Sequence, residues 1–184
     1  MSEVANRWRT IAGTFSDRVR AVPDAAWSNP SPCAGWDARH IVGHLVGWVP
    51  PILEAGAGIT IEPTPSPDAE PAAAWSNLDQ QIQMILDADD ISDRIFDHPQ
   101  AGRHALDVAI ERFVLGDVLI HTWDLARATG QDERLDPAMV ASMHDGLAAM
   151  GDMLQQSGQY GPIVPVAADA DKQTKLLALT GRQP

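Results

Sequence analysis

Asp117 and His121 stand four residues apart on what the residue spacing predicts to be one long helix, roughly 105–129. Leu106, Ile110 and Phe113 mark an inward stripe there, and continuing the spacing of three or four lands on Asp117, Ile120 and His121. Two ionisable groups therefore fall on the stripe expected to face the core, and side chains four apart project together from adjacent turns. An unpaired charge in a core is costly, whereas a bound cation neutralises the carboxylate. His44 takes the inward face of a second expected helix with Ile41, Leu45, Trp48 and Ile52. A carboxylate and an imidazole from one helix, joined by an imidazole from another, are a common way to build a metal site inside a bundle. The same Asp–His spacing also serves an ordinary ion pair, so spacing alone leaves both readings open.

Neighbouring residues have roles to fill around such a site. Asp124, three after His121, could accept the imidazole N–H and orient the ring, as ligating histidines usually require, or form a helix ion pair with Arg127. Trp48 and Trp123 lie beside the candidate ligands and serve either as pocket walls or as core anchors. His40, one turn before His44, is expected at the surface. Cys33 has no nearby base in sequence and is expected to pack rather than act as a nucleophile. Met139, Met143, Met150 and Met153 recur at helical spacing and are expected to fill core.

The elements that must position these residues are helices. Val4, Trp8, Ile11, Phe15, Val19 and Val22 share one face of a first helix that Pro23 ends, followed by a Pro-rich surface connection to Gly35. Asp37 is the expected N-cap of the His44 helix, which Pro50-Pro51 should kink or shorten. Residues 56–71 carry Pro63, Pro65, Pro67 and Pro71 and read as a long crossover. Trp75, Leu78, Ile82 and Ile85 mark a third helix, and a turn-like HPQAGRH segment leads to the long Asp117 helix, capped by Gly130. A fifth helix runs from Pro137 through Val140, Met143, Leu147 and Met150 to Leu154. An extended tail follows, with a short helix over 172–179. No clear period-two strand is visible, so the expected fold is an all-α four-helix bundle in one domain spanning 1–184.

Composition narrows the function. The chain of 184 residues has 25 acidic and 13 basic side chains, a net charge of −12, which disfavours nucleic acid and anionic lipid as partners. No apolar run approaches the length of a membrane span. The lone Cys33 and the absence of a secretory pattern point to the cytoplasm. Six of the ten aromatic residues are Trp, which implies a few large core anchors or a pocket wall.

Two longer motifs carry a family resemblance. Cys33-Ala-Gly-Trp-Asp-Ala-Arg-His-Ile-Val-Gly-His-Leu-Val-Gly-Trp48 and Asp117-Val-Leu-Ile-His-Thr-Trp-Asp-Leu-Ala-Arg-Ala-Thr-Gly130 resemble the two signatures of the mycothiol-dependent maleylpyruvate isomerase N-terminal family. The tail Tyr160–Val166 and the ending Leu176–Pro184 are similar to a small actinobacterial subgroup of it. The resemblance implies a DinB-like bundle with a divalent metal on His44, Asp117 and His121. The isomerase itself has glutamate where this chain has Asp117 and carries a further C-terminal domain. The resemblance therefore implies the metal site more directly than the isomerase reaction.

Three protein ligands leave a position open, as in catalytic zinc sites. The leading expectation is a thiol-dependent transferase or isomerase that uses mycothiol, or a similar thiol, against a small electrophile. A hydrolase using metal-bound water and a non-catalytic, metal-stabilised binding or stress-response protein are the alternatives. Zinc is the first candidate ion, with nickel, iron or manganese also suited to mixed nitrogen and oxygen ligands. Pairing into a homodimer through helix faces is common in bundles of this class.

Overall fold

The computed structural model describes residues 2–156 and 158–184, and it is a DinB-like helical bundle. Helix α1, Glu3–Ala21, begins where the Ser2 side chain accepts a hydrogen bond from the Ala5 amide, and ends before Pro23. Its buried face carries the expected Val4, Trp8, Ile11, Phe15 and Val19. A 3₁₀ turn over Asp24–Ser28 then sends Trp27 into the core, so the connection is not wholly superficial.

Asp37 opens α2, Ala38–Ala57, in a capping box with His40. Pro50 and Pro51 lie inside this helix, which does not stop at them but continues to Ala57 and closes on Gly58 at φ 63°. The crossover follows, and α3 spans Pro71–Leu86.

Two short strands, β1 Ile95–His98 and β2 Gly102–Ala105, pair antiparallel with Phe96 opposite His104. This hairpin corrects the strand-free expectation. Each strand has four residues and only Phe96 is buried, which is too little to register as a period-two pattern. Phe96 lies against Gly56 of α2, where a Cβ would fall inside its ring. Gly56→Ala is therefore expected to destabilise by about 1–3 kcal/mol through overpacking, measurable by urea denaturation.

The long helix spans 106–129 as three successive segments: α4 Leu106–Ala109, a π-helical stretch Ile110–Leu115, and α5 Gly116–Thr129. Gly130, at φ 68°, ends it. The expected fifth helix is divided. Helix α6 covers Pro137–Met150, Gly151 breaks it at φ 54° and ψ −132°, and α7 covers Asp152–Gln156. A conformation with that φ is open to glycine and rare elsewhere, which explains the break. Helix α8, Lys172–Leu179, packs chiefly on α6.

Helices α1 and α2 each pack against both α3 and α5, closing the four-helix core. Its centre is a polar-anchored tryptophan cluster: Trp75 Nε1 donates to Ser16 Oγ at 2.8 Å, Ser16 donates to Asp79 at 3.0 Å, and Trp8 Nε1 donates to Asp79 at 2.8 Å. Phe15 meets Trp75 edge-on, with centroids 4.6 Å apart. These bonds satisfy the polar atoms that large aromatic groups bring inside. Of the methionines expected as core, Met139 and Met143 pack against it, Met150 is half-buried, and Met153 is 62 % exposed. The break at Gly151 is where the helical periodicity that would have buried Met153 is lost. No helix among the described residues is long and apolar enough to cross a membrane.

Candidate metal centre

α2 and α5 bring three candidate ligands together. His44 Nε2 lies 3.0 Å from Asp117 Oδ2, and His121 Nε2 lies 3.4 Å from Asp117 Oδ1. One ligand atom from each of the three lies within 4.8 Å of the others. Trp48, one turn beyond His44, donates its Nε1–H to Asp117 Oδ2 at 2.9 Å. It therefore touches the site rather than only the core. Asp117 and His44 remain partly open to solvent, whereas His121 is 3 % exposed.

The far side of His121 is fixed by a wholly buried carboxylate. Asp124 Oδ2 accepts from His121 Nδ1 at 2.9 Å, from Arg182 Nη2 at 2.8 Å and from the Cys33 thiol at 3.4 Å. Arg182 also approaches Asp124 Oδ1 through Nε at 3.3 Å and donates through Nη1 to the Thr180 carbonyl. A carboxylate can only accept, so the shared proton belongs to Nδ1 of the ring. In the neutral imidazole this leaves the Nε2 lone pair directed to His44 and Asp117, the tautomer that ligation needs. The donor set thus fits a divalent ion of mixed nitrogen and oxygen preference.

In the absence of a cation the surrounding carboxylates favour the protonated His121 ring, so an ion that binds Nε2 would displace its proton. Burial alone would push the His121 pKa down, but the Asp117 charge, then the Asp124 and Cys33 hydrogen bonds, raise it to about 10. Burial would raise the Asp124 carboxyl, yet its bond to His121 and then Arg182 hold it at about 2. Asp117 is likewise lowered against its own burial by the charge of His121 and the bonds from His44 and Trp48. Without a metal, the centre gathers carboxylates whose neighbours must carry positive charge, and a divalent cation satisfies the same demand.

Cys33, His121 and Asp124 form a second group of possible ligand atoms within 4.8 Å. There His121 Nδ1 is already engaged by Asp124, and the Arg182 guanidinium stands 3.6 Å from the Cys33 sulfur. That fixed positive charge disfavours a cation at this second position.

The other candidate residues take the following places in the structure. Cys33 is not remote from ionisable partners, because the Pro-rich loop folds it against Asp124. Asp124 pairs with Arg182 instead of Arg127, which is bound through two contacts to Glu133. Trp123 is a core anchor, 1 % exposed, with Arg127 stacked 4.4 Å from its ring centre. His40 is at the surface and serves the α2 cap, as its position implied.

Two contributors were not singled out from sequence. Trp36 lies 5.0 Å from the His44 ring and stacks 5.9 Å from His121, shielding both rings. Arg182 comes from the chain's last residues and bears no periodic relation to the helix it braces. Both stood within the quoted motifs, so their presence there was the available signal.

A family model described as the mycothiol maleylpyruvate isomerase N-terminal domain matches residues 8–126. That stretch contains Cys33, His44, Asp117, His121 and Asp124, and Arg182 lies beyond it. Two curated proteins of Mycobacterium tuberculosis, Uncharacterized protein MT0763 of strain CDC 1551 / Oshkosh and Uncharacterized protein Rv0738 of strain ATCC 25618 / H37Rv, are each 29 % identical over 158 residues. In both cases the similarity covers 83 % of this chain and 83 % of the relative. No solved structure matches this chain.

Proposed function

Because the chain belongs to the mycothiol maleylpyruvate isomerase N-terminal domain family, we propose that His44, Asp117 and His121 hold one divalent metal for a thiol-dependent transferase or isomerase. Its cosubstrate is a low-molecular-weight thiol of the mycothiol type, and its substrate is a small electrophile. The carrying observation is the meeting of three ligand atoms within 4.8 Å, with Asp124 fixing the His121 ring from behind. Zinc is the first choice of ion, and nickel, iron and manganese suit the same donors. When bound at a three-ligand site with a free position, such an ion supplies the Lewis acidity that stabilises a thiolate at neutral pH.

The chain's own side chains prepare that chemistry. Asp124 holds the proton on His121 Nδ1, the Trp48 N–H turns the Asp117 carboxylate, and Trp36 keeps water from one side of both imidazoles. In the reaction the thiol gives up its proton to solvent and its sulfur forms a bond to the electrophilic carbon. The electron pair displaced from that carbon leaves with a departing group or takes up a proton. Transfer retains the carbon–sulfur bond; isomerisation breaks it again and returns the thiol. A location in the cytoplasm, where such thiols are kept reduced, follows from this reading.

Metal-assisted hydrolysis would need a general base beside the open position. The nearest buried carboxylate, Asp124, is already engaged by three donors. The test is to offer mycothiol and a panel of electrophiles to the metal-loaded protein and follow adducts by mass spectrometry. Adduct formation above the uncatalysed rate, falling to background after chelation, is the expected result. No adduct across the panel would leave a non-catalytic metal-binding protein in its place.

A further inference from the structure

A cavity of about 720 Å³ lies between α1, the π-helical stretch and α6. That volume suits a small organic molecule. Its walls are mainly apolar, with Ile11, Phe113, Met139, Met143, Leu147 and Met150 facing the space. Three of these are methionines from the stripe on α6, and unbranched methionine side chains adapt to ligands of varied shape.

Charges around the cavity balance and are engaged. Arg7 is paired with Glu111 and Glu3, and the Arg112 guanidinium lies over the Phe113 ring at 5.7 Å. The remaining charged group, Asp136, caps α6 by accepting from the Met139 amide. The two basic and two acidic groups leave the wall without net charge, so nothing there offsets the cost of burying a charged ligand, a cost that an uncharged one does not meet.

The cavity also borders the metal-bearing helix. Gly116, immediately before Asp117, forms part of its wall and leaves room for Met143, whose Cε would lie 3.5 Å from a Cβ there. Tyr160 lines the same space.

We propose that this cavity is a chamber for the apolar body of a small uncharged molecule, walled at Gly116 by the helix that carries Asp117 and His121. Its role in setting the substrate class rests on the thiol reading; its capacity to bind does not. The electrophile it selects is apolar and carries no carboxylate pair.

Titration with the uncharged fluorophore N-phenyl-1-naphthylamine tests this, on metal-loaded protein and on protein stripped with chelator. Gly146 lines the cavity from α6 and a Cβ there meets nothing, so Gly146→Trp projects an indole into open space. Ser142 lines the cavity one turn earlier, and Ser142→Trp is the second variant. The wild-type protein should give a saturable rise in emission in both forms, undiminished by the dicarboxylate maleate. Each variant, with unchanged circular dichroism and metal content, should bind the probe at least about tenfold more weakly.

Absence of saturation, displacement by maleate, or wild-type affinity in both folded variants would overturn the proposal. If neither variant folds, the wild-type titration and the maleate arm decide it. A wild-type protein that binds the probe but takes up no metal supports the chamber and removes the thiol reading. Metal uptake with no probe binding removes the chamber alone.

Discussion

Protein carrying His121→Ala, purified without chelator or metal-affinity resin, is expected to hold only background metal where the wild type holds about one equivalent. His121 is the most deeply buried of the three candidate ligands, and its loss leaves His44 and Asp117 as a two-ligand fragment. Loss of partners that merely orient ligands commonly weakens metal affinity by about 10–100-fold, so removal of a ligand should reach at least the upper end. His40→Ala is the matched control, because that ring faces the α2 cap and solvent. Elemental analysis of the three proteins reads the result, and equal metal in His121→Ala and wild type would sink the assignment.

The second large effect is expected at Asp124. Asp124→Ala removes the acceptor shared by His121, Arg182 and Cys33 while leaving Arg182 13 % exposed and without its carboxylate. Breaking a buried pair from one side typically costs about 3–5 kcal/mol, and urea denaturation of the metal-free protein should show a loss of that order. In the folded fraction, the His121 ring loses the bond that fixes its tautomer, and chelator competition should report about 10–100-fold weaker metal binding. Asp124→Asn keeps an acceptor oxygen and should fall between the two in both measurements. If Asp124→Ala matches wild type in stability, the Arg182–Asp124–His121 chain has no structural weight.

Much of this site was legible because it lies on helices. Asp117, His121 and Asp124 occupy neighbouring turns of one helix, where side-chain direction follows from residue number alone. His44 could be read because its helix has a clear apolar face, from Ile41 to Ile52. Arg182 and Cys33 reach Asp124 through irregular segments, and no period connects their numbers to its own. The hairpin escaped notice for a related reason: its strands are too short to repeat a pattern. The methionine stripe illustrates a different ambiguity. A helix face turned toward a ligand-sized space has the same apolar spacing as one turned toward packed core, so Met139 and Met143 looked identical in either setting.

The π-helical stretch at Ile110–Leu115 sits upstream of both candidate metal ligands on the long helix. Such a stretch acts as one surplus residue within an otherwise α-helical path. Each residue turns an α-helix by about 100° and a π-helix by less, so the surplus residue is absorbed and the turns on either side keep their phase. Excising one residue between 110 and 115 would restore an α-helical path and leave Asp117, His121 and Asp124 facing His44 and Arg182. One residue inserted in the regular turn just after Leu115 has no such slack and would swing all three away by about 100°. Both altered chains should keep their helical circular dichroism, and only the lengthened one should fail to take up metal.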